Sequence, residues 1–160
     1  MIFLFSFILK NRMKCFIVLL IFAFFFVSCS PLSSKRKGDA TAILQEILSV
    51  FPGKEGAIYS DREEAEYPLT DALIARMFPD MGDLDDFSYV VSRAAWFSRR
   101  FSDREILILE ICDLSHQKDL LRLLEKRKKK KENAVVFADG IYLYLICTDQ
   151  NEEIIRYLQS

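Results

Sequence analysis

Side chains able to do chemistry are few in this chain, and they are widely spaced. His116 is the only histidine, and with Asp113 and Ser115 it forms the one place where imidazole, hydroxyl and carboxylate come together. A nucleophile and its base must face each other, and neighbours on a helix do not. The stretch therefore reads as a capped helix start. Asp80, Asp83, Asp85 and Asp86 suggest a cation site, but they lack the alternating ligands, the glycine and the closing glutamate of a calcium loop. They read as a solvated turn. The chain has no Gly-x-Ser-x-Gly elbow, no glycine-rich phosphate loop and no His-Glu-x-x-His helix. The expectation is no catalytic set, no metal and no cofactor.

The thiols carry more information. Cys29 ends the run Phe26-Val27-Ser28-Cys29, and Cys15 to Val27 is thirteen residues without a charge, preceded by Lys14. A basic start, a short apolar stretch and small residues at its end make a secretory signal peptide over residues 1–28. Met13 is a second candidate start. The competing reading, an uncleaved spanning helix, needs about 20 apolar residues, and Lys10, Asn11, Arg12 and Lys14 interrupt the run. The residues around Cys29 resemble the lipobox of bacterial lipoproteins, with Phe26 where leucine is usual. That resemblance implies a Cys29 carrying diacylglyceryl and palmitate-type chains, which anchors the chain on the extracytoplasmic face of the cell membrane.

Residues 29–38 then form the lipidated cysteine and a flexible tether, about 30 Å at full extension. Lys35, Arg36 and Lys37 in it either meet anionic headgroups or are simply solvated. Three of the 22 basic residues and none of the 23 acidic ones precede Cys29, so the mature chain carries a net charge of −4. A mildly acidic chain of this kind argues against a nucleic-acid partner.

Residues 39–160 have the length of a single domain. Asp39 or Thr41 caps a helix carrying Ile43, Leu44, Ile47, Leu48 and Phe51, stopped by Pro52-Gly53. Lys54 to Tyr67 reads as an acidic loop, and Pro68 opens a second helix that ends before Pro79. Phe87 to Ser92 alternates as a strand, and Glu105 to Cys112 is a continuous apolar strand. Ser115 to Lys131 is the long helix. Ala134 to Ala138 and Ile141 to Thr148 are strands joined by Asp139-Gly140, a hairpin signal. Asp149 or Asn151 caps the last helix. The order ααββαββα predicts an α+β fold with a four-stranded antiparallel sheet in two layers. By period-two alternation Cys147 faces the core and Cys112 the opposite side, so the pair is expected to stay unbridged.

Three further groups are candidate sites. Arg93 to Arg104, read as the connection between the first two strands, holds Trp96, Phe97, Arg99, Arg100 and Phe101, a composition that suits partner binding. The alternative is that the aromatics fold back over the sheet. Glu105 enters an apolar strand and needs a cationic partner, with Arg93 and Arg122 as candidates. The basic run Arg127 to Lys131, with Lys126 before it, either satisfies the last carbonyls of the helix and complements its dipole or grips anionic lipid or wall polymer.

The stretch Glu132 to Asp149, which includes Ala138-Asp139-Gly140-Ile141-Tyr142, resembles a family of small lipoproteins of Gram-positive bacteria, a domain of unknown function. Over Ala40 to Leu158 the resemblance implies an envelope location and a fold outline, with Glu105 and Gly140 as family positions and no activity. The connection before Ala134 is shorter than is usual there. The combined expectation is a membrane-anchored surface lipoprotein that binds an envelope protein without catalysis. An envelope hydrolase and a small-ligand receptor are the alternatives.

Overall fold

The computed structural model describes residues 36–53, 55–79, 87–98 and 104–160, all within one compact unit. The chain runs α1 (Ala40–Val50), β1 (Gly56–Ser60), β2 (Tyr67–Pro68), α2 (Asp71–Met77), β3 (Val90–Ser98), β4 (Glu105–Ile111), a single 3-10 turn (Leu114–His116), α3 (Gln117–Lys128), β5 (Val135–Asp139), β6 (Tyr142–Cys147) and α4 (Asn151–Gln159). The α+β class and the β5–β6 hairpin are as read from the sequence. Gly140 supplies the positive φ that the tight turn requires.

The sheet departs from the expectation. Among the described residues it has six strands in the order β2-β1-β3-β4-β6-β5. The pairing of β1 with β2 is parallel, and every other pairing is antiparallel. Two short strands lie where an acidic loop was expected. The helices also cover both faces. Ile43, Leu44 and Ile47 of α1 with Ile154 and Leu158 of α4 pack on Ala94, Trp96, Ile106, Ile108, Tyr144 and Ile146. On the other side, Ile74 of α2 and Leu120, Leu123 and Leu124 of α3 pack on Ala95, Phe97, Leu107, Leu109, Leu143 and Leu145. The physical cause is visible in β4 and β6, whose side chains are buried on alternate faces almost without exception. A strand buried on both faces has no polar side. At ~1.5–3 kcal/mol for each fully buried large aliphatic side chain, these two strands drive the folding of both layers.

Local signals set the helix ends. Asp39 caps α1, accepting from Ala42 N at 2.8 Å, and Thr70 caps α2, accepting from Leu73 N at 3.2 Å. Pro68 therefore belongs to β2 and does not open the helix. Neither Asp149 nor Asn151 caps α4: Gln150 occupies that position without a side-chain bond, and the Asn151 carboxamide accepts from Thr148 N at 2.7 Å. The tether ends sooner than expected. Arg36 bonds Glu46 of α1 and the carbonyl of Tyr157 in α4, and Tyr142 Oη donates to Gly38 O at 2.5 Å. From Arg36 onward the chain is fastened to the domain.

Candidate functional site

Trp96 and Phe97 do not lie in a connection. β3 runs on to Ser98, which donates its N–H to Arg104 O at 3.1 Å. Trp96 is 5% exposed and Phe97 2%. Neighbours in a strand point to opposite faces, and both faces of this sheet are covered. The two rings therefore enter different cores and cannot share one surface. The loop after Pro52 laps over the indole, and a side chain at Gly53 or Gly56 would collide with it. These two glycines leave room for the ring. The exposure that partner binding through Trp96 and Phe97 requires is missing. Arg99, Arg100 and Phe101 lie outside the described residues, as do Cys29, Lys35 and Asp80 to Asp86.

Glu105 is fully buried and has neither expected partner. Arg127 holds both its oxygens, Nε to Oε1 and Nη2 to Oε2 at 2.6 Å each, and Lys131 Nζ lies 2.9 Å from Oε2. Arg127 also donates to Met77 O at 2.8 Å, fastening the end of α2. Arg93 pairs instead with Asp71 at 2.6 Å. Arg127 lies in the last turn of α3 and Lys131 in the turn that follows it, where its N–H donates to Lys128 O at 2.9 Å, so part of the basic run turns inward. Cys147, beside this group, donates to Glu132 O at 3.2 Å, and burial raises its pKa. Cys112 is exposed, and neither Cys112 nor Cys147 is in a disulfide.

The Asp113 carboxylate accepts from Ser115 N at 2.8 Å, and this bond holds Asp113 below its usual pKa. His116 stacks on Tyr89 with ring centroids 3.3 Å apart. Ser115 and His116 are therefore occupied in forming a turn. Among the described residues no three His, Cys, Asp or Glu side chains could hold a metal, and no helix is long and apolar enough to cross a membrane.

The site that the structure does offer lies on the segment read as a loop. A cleft of about 520 Å³ opens between α1 and β1, walled by Thr41 and Gln45 on the helix and by Gly56, Ala57, Ile58 and Ser60 on the strand. Arg62, Glu64, Ala65 and Glu66 form the opposite wall. Arg62 is held by Asp39, Nε to Oδ2 at 3.0 Å and Nη2 to Oδ1 at 2.7 Å. That bond is the main reason Asp39 titrates below its usual range. Thr41 is 3% exposed, and its hydroxyl has no hydrogen-bond partner. Nearby, burial followed by the Asp39 and Asp61 carboxylates raises the pKa of Glu110. No protein-family model matches this chain, and no curated protein or solved structure matches it either.

Sequence reasoning missed this cleft because its residues look like solvated loop. One signal was available. Gly56 to Ser60 is a short apolar run between glycine and aspartate, and Thr41 interrupts the otherwise apolar buried face of α1.

Proposed function

We propose that this chain is a lipoprotein of the bacterial envelope, of the small Gram-positive kind its N-terminus and C-terminal hairpin resemble. Cys29 carries the lipid anchor, and the domain binds a partner protein without catalysis. The observation that carries the binding role is the cleft between α1 and β1: a concave site within the usual ligand-pocket range of ~300–1,000 Å³, with a buried, unsatisfied hydroxyl on its wall. Its donors and acceptors (Gln45, Arg62, Glu64, Glu66) suit recognition. Arg36, fastened to α1 and α4, leaves only six residues between anchor and domain, about 20 Å when extended, so the cleft works close to the membrane surface.

Two measurements test this. Cys29→Ala should leave an unlipidated, unprocessed precursor by intact mass, and an unchanged mass would remove the anchor. A photo-crosslinking residue placed at Gln45 or Ala65 in intact cells should give a discrete adduct that the same residue at Glu153, exposed on α4, does not. Equal labelling from all three positions, or none from the first two, would remove the cleft as the binding surface.

A further inference from the structure

We propose that the cleft takes an extended, lysine- or arginine-rich segment of its partner, which adds to the sheet as a strand along Gly56, Ala57 and Ile58. The inference rests on the cleft being the partner surface and names the chemistry of what enters it.

Three observations converge. β1 pairs with β3 over all five of its residues, but with β2 only at Tyr59↔Tyr67 and Ser60↔Pro68. Upstream of those two pairs the segments separate, with Gly56 to Ile58 on one wall of the cleft and Glu64 to Glu66 on the other. Three of the five residues of β1 therefore have a strand on one side only. An edge of this kind is a template for another extended chain, which gains affinity through main-chain bonds.

The second observation is charge. Residues 55–66 contain Glu55, Asp61, Glu63, Glu64 and Glu66 against one cation, Arg62, whose guanidinium is engaged by Asp39. Edges are usually guarded by lysine, which repels stray strands. Here the guard is acidic, so an acidic strand is rejected and a basic one is drawn in.

The third is the hydroxyl of Thr41, buried on the helix wall and without a partner. An unpaired buried hydroxyl is unfavourable, and a backbone amide or carbonyl of an entering strand would satisfy it. A neutral small ligand would satisfy the hydroxyl but leave the acidic wall unexplained. A cation alone would use the wall but not the strand edge.

The test uses the full-length chain in detergent micelles with two N-acetylated heptapeptides, one alternating lysine with threonine and the other glutamate with threonine. Trp96, the only tryptophan, lies against Gly56, so its emission reports occupancy of the cleft. The lysine peptide should bind at least about tenfold more tightly than the glutamate peptide, and weaken as salt is added. Glu64→Lys combined with Glu66→Lys should reverse that preference. N-methylation of alternate peptide amides should abolish binding, and the bound peptide should slow hydrogen exchange at Gly56 to Ile58. Equal affinity for the two peptides, or binding that survives N-methylation, overturns the proposal. If the lysine peptide fails to bind while Gln45 and Ala65 still crosslink to a partner, the proposed chemistry falls and the cleft stands. If both fail, both readings fall. A doubled mass in light scattering that disappears with Glu64→Lys would assign the cleft to a second copy of the chain and overturn the basic-peptide assignment.

Discussion

Glu105→Ala should be among the most destabilising single substitutions in the domain, because it strands two cations. The Glu105 side chain is 0% exposed, that of Arg127 13% and that of Lys131 7%. Removing one partner of a buried ion pair costs ~3–5 kcal/mol, since the survivors keep their desolvation penalty and lose their counterion. About 4 kcal/mol is a large fraction of the ~5–15 kcal/mol that holds a typical domain together. Lys131→Met should cost far less, because the Arg127 fork already occupies both carboxylate oxygens. Urea titration followed by far-ultraviolet circular dichroism measures both effects, and the slope against urea should stay unchanged. Combining Glu105→Leu with Arg127→Leu should be less destabilising than the sum of the two single changes, because it removes the fork and the carboxylate together. A Glu105→Ala cost below about 1 kcal/mol, the level of an exposed pair, would refute the account of a buried triad. So would strict additivity in the double variant.

Three more outcomes follow from the packing. Trp96 should emit at short wavelength and resist acrylamide, and Gly56→Ala, which pushes a methyl into the indole, should cost ~1–3 kcal/mol and shift that emission; a red-shifted, readily quenched Trp96 would contradict its burial. Thr41→Val keeps the shape of a side chain whose hydroxyl is unpaired, so urea midpoints should hold or rise while crosslinking from Gln45 to the partner drops; a clear loss of stability would show that the hydroxyl is satisfied within the fold. Glu110 has a folded pKa raised above that of the unfolded chain, so its contribution weakens stability as pH climbs through that interval. Glu110→Gln should therefore stabilise the domain at neutral pH and leave it unchanged well below pH 4.5, and a gain that persists at low pH would point to a cause other than charge.

Much of the fold was legible where a pattern repeats along one element. Asp39 before the apolar stripe of α1, and Asp139-Gly140 between two apolar runs, fixed a helix start and a hairpin. The continuous apolar character of Glu105 to Ile111 also held the information that both faces are covered, because a two-layer sheet would have left alternate positions polar. β1 was hidden for the opposite reason. It has five residues, and its flanks are charged, so local composition says loop. What makes it a strand is the length of β3, which offers Gly56 to Ser60 an edge to pair with. β-propensity depends on such neighbours more than on the residues themselves.

The same non-locality explains the candidate sites. Trp96, Phe97 and the arginines after them look like one recognition surface only if the segment is a loop. Once it is a strand, adjacent residues diverge into separate cores. In the basic run, the end of α3 and the turn after it bring Arg127 and Lys131 to Glu105, and no feature of β4 alone names them. The ion pairs that join elements draw their carboxylates from element ends: Asp39 before α1, Asp71 at the start of α2, Glu105 at the mouth of β4 and Asp149 before α4. Glu63 and Glu64 form no salt bridge among the described residues. The carboxylates at element ends are paired with arginines, whereas Glu63 and Glu64 stand exposed beside an incomplete strand edge. Charge that forms no salt bridge within the described fold, placed where the sheet is unfinished, is what a partner of opposite sign would use.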